Sequence, residues 1–247
     1  MELTMRNPAR PAVFWSQVRR RARNVLCVLL LSVPVAASWA LDLASLTKAD
    51  AVSGLKDALG QASAKAVAQL GSNNGFLNNA EVRIPLPAPL QRIESGLRML
   101  GLQGQADELV NAMNHAAEQA VPEATALFAD AIRKMSVQDA KGILTGSDTA
   151  ATDYFQKTTR SQLASRFLPI VTKATQNVGL AEKYNQVAGK AAQLGLLDDQ
   201  QARIENYVTQ KALDGLFQVM SEQEKAIRQD PVGSATGMAR KVFGLLQ

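Results

Sequence analysis

Small and apolar side chains return at three- and four-residue spacing along nearly the whole chain after residue 48, and glycine or proline closes run after run. That period belongs to helices with one buried face and cannot be laid onto a strand, whose side chains alternate every two residues. Residues 49–70 set the pattern with Ala51, Leu55, Ala58, Leu59, Ala62, Ala66 and Leu70, and stop at Gly71. Pro89 fits the first turn of the next helix, which carries Leu90, Ile93, Leu97 and Leu100 and ends at Gly101. Residues 105–120 follow, and Pro122 opens 122–135. Ser136 with Asp139 resembles a capping box for a short helix that ends before Gly146.

Further along, Asp148 is expected to cap 149–159 and Ser161 to cap 162–178, with Pro169 kinking the latter. Residues 180–194 form a helix closed by Gly195. Asp198 with Gln201 caps 199–220, whose core stripe is Ile204, Val208, Ala212, Leu216 and Met220. Ser221 with Glu224 caps 222–229, Pro231 ends it, and a short amphipathic tail covers 236–246. The expected fold class is all-α: one compact domain of about ten short-to-medium helices over 41–247. Residues 71–89 are the exception. Gly71-Ser72-Asn73-Asn74-Gly75 is a turn signal, Phe76 and Leu77 read as anchors, and Val82, Ile84 and Leu86 alternate with Arg83, Pro85 and Pro87. The prolines lack a donor, so this stretch is extended without being a sheet strand.

Residues 1–40 have a different grammar. A cationic stretch ends at Arg23, an apolar run spans 25–33, Pro34 breaks it, and Ser38-Trp39-Ala40 places small residues for a cut after Ala40. This is the pattern of a cleaved secretory signal peptide, too short for a membrane span. The expected location is the periplasm, with secretion beyond an outer membrane also open. The chain has 27 Lys+Arg against 22 Asp+Glu, but the first 40 residues hold six arginines and one glutamate. The mature part therefore carries no net charge, which removes the basis for a nucleic-acid partner. Cys27, Trp15 and Trp39 lie in the leader as well, so the mature chain has no thiol for disulfides, nucleophilic catalysis or cysteine-ligated zinc. No cofactor and no metal site are expected, and no later stretch is apolar enough to cross a membrane.

The chemistry on offer is sparse. His115 is the only imidazole; a catalytic dyad or triad, or a metal site, could use it with Glu118 three residues on along the same helix face, but its simplest role is that of a surface or helix-packing histidine. Tyr207 and Lys211 have the Tyr-x-x-x-Lys spacing of short-chain dehydrogenases, but no glycine-rich strand-to-helix turn accompanies them. Tyr207, Lys211 and Asp214 can share a helix face. Gly189-Lys190 is no phosphate loop, since Tyr184 and Ala191 stand where Gly and Ser/Thr are needed. The segment from Leu144 to Phe155 opens a helix with a glycine turn and four hydroxyl residues. An anion could seat there, although Asp148 can occupy the same N–H groups. Asp153 and Lys157 stand at i,i+4, as ordinary helix support. Glu222, Glu224, Lys225, Arg228 and Asp230 make a charged helix end.

Several strings resemble a bacterial family of exported helical proteins catalogued only as a domain of unknown function. They are Gly75-Phe76-Leu77-Asn78-Asn79, Ile84-Pro85-Leu86-Pro87, the Leu144–Phe155 segment, Tyr207 through Phe217, and Glu224 through Pro231. The resemblance covers nearly all of the mature part and implies an exported, mostly helical single domain. It implies no activity. The leading expectation is a non-enzymatic envelope protein that binds a partner protein or a small molecule. The candidate surface is Asp148, Thr149, Asp153, Tyr154, Lys157, Tyr207, Lys211, Asp214 and Arg228. The alternatives are a hydrolase or lyase using Asp/Glu with Tyr/Lys, and a carrier for an apolar ligand in an interior cavity.

Overall fold

The computed structural model describes residues 48–92, 94–101, 103–195 and 202–230. The leader, the cut after Ala40, the Asp198–Gln201 cap, Pro231 and the 236–246 tail lie outside the described residues. The fold is all-α, with no strand among the described residues. Its elements are α1 (Lys48–Leu70), α2 (Ala88–Arg92), α3 (Glu94–Met99), α4 (Gln103–Ala120), a 3-10 turn (Val121–Glu123), α5 (Ala124–Lys134), α6 (Val137–Leu144), α7 (Ala150–Thr175), α8 (Gly179–Gln193) and α9 (Ile204–Gln229). No described helix is long and apolar enough to cross a membrane.

Helices α7 and α9 lie against each other over the most extensive contact in the fold, with α4 packed on both and α1 spanning α5 and α9. The core is one continuous cluster to which all of these contribute. Its aromatic centre is Phe128, Phe155 and Phe217, with ring centroids 5.0 Å (128–155) and 6.3 Å (128–217) apart. Each such phenylalanine contributes about 2–3 kcal/mol through the apolar surface it removes from water.

Two expected helix breaks are absent. Residues 149–159 and 162–178 were each expected as a helix, but α7 runs unbroken from Ala150 to Thr175. Ala151, Phe155, Thr159, Leu163, Phe167, Val171 and Thr175 are buried at a constant four-residue spacing, so a core stripe crosses the expected break at Ser161. The hydroxyls of Thr159 and Thr175 donate to the carbonyls of Phe155 (2.6 Å) and Val171 (2.9 Å), which lets them sit inside it. In the same way α9 passes through Ser221, because Glu224 turns inward instead of closing a capping box.

Other local readings hold. Ser136 and Asp139 form the capping box of α6. Gly101 and Gly195 take left-handed φ values of 72° and 71° after α3 and α8, a conformation that a side chain disfavours. Residues 83–87 belong to no helix, turn or sheet.

The 71–87 segment is held by the helices beneath it. The Asn114 side chain pairs with the backbone of Ile84 as a neighbouring strand would. Its Oδ1 accepts from Ile84 N–H at 2.8 Å, and its Nδ2 donates to Ile84 C=O at 2.9 Å. Gly215 on α9 provides the room: a Cβ there would stand 2.8 Å from the Phe76 ring and 3.1 Å from Val82. Both Phe76 and Val82 are buried.

Candidate functional site

Three buried glutamates, Glu118, Glu205 and Glu224, organise the polar interior. On α9, the Glu224 carboxylate accepts from the N–H groups of Ala151 (3.0 Å) and Thr152 (2.9 Å) and from the Thr152 hydroxyl (2.9 Å). It thus satisfies the orphan donors at the start of α7, where a negative charge also meets the positive end of the helix dipole. This corrects the expected role of Asp148, which is exposed; the N-cap residue is Thr149, and it makes no side-chain cap bond. Arg228 completes the joint, donating to Glu224 at 2.9 Å and to the Ile143 carbonyl of α6 at 2.9 Å. The anion seat considered for this turn is filled by the protein's own carboxylate. A second carboxylate, Glu205, accepts from Asn185 Nδ2 at 2.9 Å, while Asn185 Oδ1 takes the Ile204 N–H at the start of α9.

The sequence-predicted surface does not gather into one place. Tyr207 stands at the start of α9 and Arg228 near its end, so the helix rise sets them about 30 Å apart. Tyr207 donates its hydroxyl to the Pro85 carbonyl at 3.0 Å, and burial, with the neighbouring Tyr184, pushes its pKa up to about 12. Tyr154 donates to the Ala131 carbonyl at 2.9 Å, and burial followed by the charge of Asp139 raises its pKa. Asp214 pairs with Arg160 of α7 at 2.7 Å and leaves Lys211 exposed. Asp153 accepts from the Thr149 hydroxyl at 3.4 Å, and no ion pair joins it to Lys157. The Lys157 charge instead helps lower the pKa of Asp139, behind the larger effect of the Ser136 hydrogen bonds.

His115, whose simplest reading from the sequence is a surface or helix-packing histidine, occupies with Glu118 the most site-like position. Glu118 is buried on α4, and its carboxylate collects the N–H groups of Asn74 (3.1 Å), Phe76 (3.0 Å) and Leu77 (3.1 Å). Asn74 reaches it through a left-handed φ of 63°. The same carboxylate meets His115 Nδ1 at 2.8 Å. A carboxylate only accepts, so Nδ1 carries the hydrogen and Nε2 is left on the outward edge of the ring. The His115 side chain is 40% exposed against 6% for Glu118.

Two open clefts meet at this imidazole. One, of about 580 Å³, lies between α4 and α7 and is lined by Ala112, Pro169, Ile170, Lys173 and Ala174. The other, of about 490 Å³, lies against the 71–73 turn and Pro122. His115 and Gln119 line both. The only hydroxyl in either lining, that of Ser72, donates to the Gln69 carbonyl at 2.8 Å. A third cleft of about 380 Å³ beside α2–α4 is lined by Arg83, Arg98, Glu94 and Asp107, whose charges cancel. Neither Tyr154 nor Tyr207 lines any of the three. Among the described residues no group of His, Cys, Asp and Glu is placed to hold a metal ion.

The sequence profile of a family described as protein of unknown function (DUF4197) matches residues 45–244. No curated protein and no solved structure matches the chain.

Proposed function

The chain belongs to this DUF4197 family, and from that premise we propose that it is an exported envelope protein that binds a partner or a small molecule without transforming it. The seat is the groove over His115. The observation that carries this reading is the position of His115, fixed through Nδ1 by a buried carboxylate and shared by two open clefts. Concave, mostly preformed surfaces with a few oriented polar groups are what ligand sites look like.

The same geometry speaks against catalysis. A nucleophile or general acid must reach the substrate, yet the hydroxyls of Tyr207, Tyr154 and Ser72 are each committed to a backbone carbonyl. Glu224 is committed to the start of α7. The hydrolase reading needs carboxylates converging with a tyrosine in a cleft, and none of the three clefts supplies that. Export rests on the signal-peptide grammar of residues 1–40.

Native mass spectrometry of the protein recovered from cells expressing the full chain tests both parts. The expected denatured mass is that of residues 41–247, and the expected native mass exceeds it by a discrete increment that Gln119→Trp, which crowds both clefts, removes. An uncleaved chain contradicts export. An increment untouched by the tryptophan contradicts the groove.

A further inference from the structure

We propose that Asn74-Gly75 is a spontaneous modification site that the Glu118 anchor holds dormant: once the turn opens, Asn74 is converted to aspartate or isoaspartate, and the anchor does not re-form. Asn-Gly is the pair in which the next backbone nitrogen most readily attacks a side-chain amide, because glycine puts no side chain in its way. The chain contains this pair once. The turn demands both residues. Asn74 holds a left-handed φ of 63°, which asparagine tolerates better than most residues with a side chain. A Cβ at Gly75 would stand 2.5 Å from the Gln69 carbonyl oxygen and 2.6 Å from that of Leu70. The geometry of the turn therefore installs a labile pair.

In the reaction the Gly75 nitrogen bonds to Asn74 Cγ, the Cγ–Nδ2 bond breaks, and ammonia leaves with the Gly75 amide proton. Water then opens the cyclic imide. Opening at the side-chain carbonyl gives aspartate, and opening at the backbone carbonyl gives isoaspartate, whose main chain is one carbon longer. Water is the only co-reactant. The folded turn opposes the first step. Gly75 N–H donates to the Ser72 carbonyl at 3.0 Å, and the Asn74 carbonyl accepts from Asn78 N–H at 3.0 Å. On either side of Gly75, the N–H groups of Asn74 (3.1 Å), Phe76 (3.0 Å) and Leu77 (3.1 Å) are pinned by the one carboxylate of Glu118. Turning the Gly75 nitrogen onto the side chain breaks these bonds together, so the reaction runs through a locally opened state.

Neither product fits back. Aspartate adds a second negative charge in the residue whose own N–H lies 3.1 Å from Glu118 Oε2. Isoaspartate lengthens the main chain where the Gln69 and Leu70 carbonyls leave no room for a methyl. Either change loosens the turn whose Gly71, Ser72 and Asn73 line one of the clefts beside His115.

Peptide mapping with isoaspartate detection follows residue 74 in the protein purified after expression of the full chain. The protein is kept in mildly alkaline buffer without urea, in sub-denaturing urea, and fully unfolded. The expected conversion is about tenfold or more slower in the folded protein than in the unfolded chain, and it quickens with urea in step with hydrogen exchange of the Gly75 amide. Glu118→Gln should convert faster than the wild type without urea; where that variant does not fold, the urea series on the wild type decides. Asn74→Asp, the product made by mutation, should speed exchange at the Phe76 and Leu77 amides about tenfold or more. Equal conversion in folded and unfolded protein overturns the dormancy. Conversion that does not follow Gly75 exchange, or that folded Glu118→Gln leaves unchanged, overturns the role of the anchor. Unchanged exchange in Asn74→Asp overturns the loss of the anchor.

Discussion

Glu118 Oε2 lies 2.8 Å from His115 Nδ1, and through this contact the buried anchor of the 71–79 turn becomes the back wall of an open groove. One carboxylate serves both purposes. It collects backbone donors from a turn more than forty residues away, and it fixes the one histidine at the surface.

Replacing Glu118 by Gln should therefore loosen the turn as well as the ring. Gln keeps one acceptor oxygen and presents an NH₂ to donors that need an acceptor. The expected cost is about 2–3 kcal/mol, the scale of losing charge-assisted hydrogen bonds in a buried site. Urea unfolding measures it, and hydrogen exchange should show the amides of Asn74, Phe76 and Leu77 losing protection first.

At the other end of the molecule, Glu224→Ala should cost about 2–3 kcal/mol by uncovering the first N–H groups of α7. Arg228→Ala should cost less, about 1 kcal/mol, because Ile143 loses one donor and Glu224 keeps three. A double-mutant cycle should show coupling between the two, since both act on one joint.

Gly215→Ala should destabilise by about 1–3 kcal/mol, because the added methyl meets Phe76 at 2.8 Å. Combined with Phe76→Leu, the damage should be smaller than the sum of the two single changes. Strict additivity in denaturant titrations would mean that the two residues do not compete for that space.

The tyrosines set the alkaline limit. The folded-state pKa of Tyr207 is raised from 10.0 to about 12, chiefly by burial, and those of Tyr154 and Tyr184 are raised as well. A pKa raised on folding gives stability that is complete below the unfolded value and is lost as pH rises through the folded one. Stability should thus be flat from pH 7 to about 9.5 and fall between about 10 and 12, with Tyr207→Phe reducing the slope. Denaturation curves across that range provide the check.

The helices, the stop at Gly71, the capping box at Ser136 and the lack of any strand around Pro85 and Pro87 are legible because each is a local pattern. At Ser161 and Ser221 the cap-like residues point to breaks, but the core stripe runs through both and keeps the helices whole. In α9 that stripe runs Ile204, Val208, Ala212, Leu216, Met220, and its next position is Glu224. A glutamate on a core stripe is itself a signal of a buried tertiary partner. Asn114 and Glu118 carried the same signal, one turn apart on a buried face with Val110 and Val121. What no spacing can give is the partner: Glu118 with Phe76 and Glu224 with Thr152 join segments 42 and 72 residues apart. The groove was illegible for the same reason, since its walls come from α4, α7 and the 71–73 turn.

The most direct test of the account is photo-crosslinking in living cells from a diazirine side chain about the size of glutamine, which does not crowd the clefts as tryptophan does, placed at position 119, which borders both clefts, with the same residue at exposed Val137 on α6 as the control. The account predicts a discrete adduct from position 119 that is absent from 137 and absent when His115→Gln is added. No adduct from 119, or the same adducts from both positions, would contradict it.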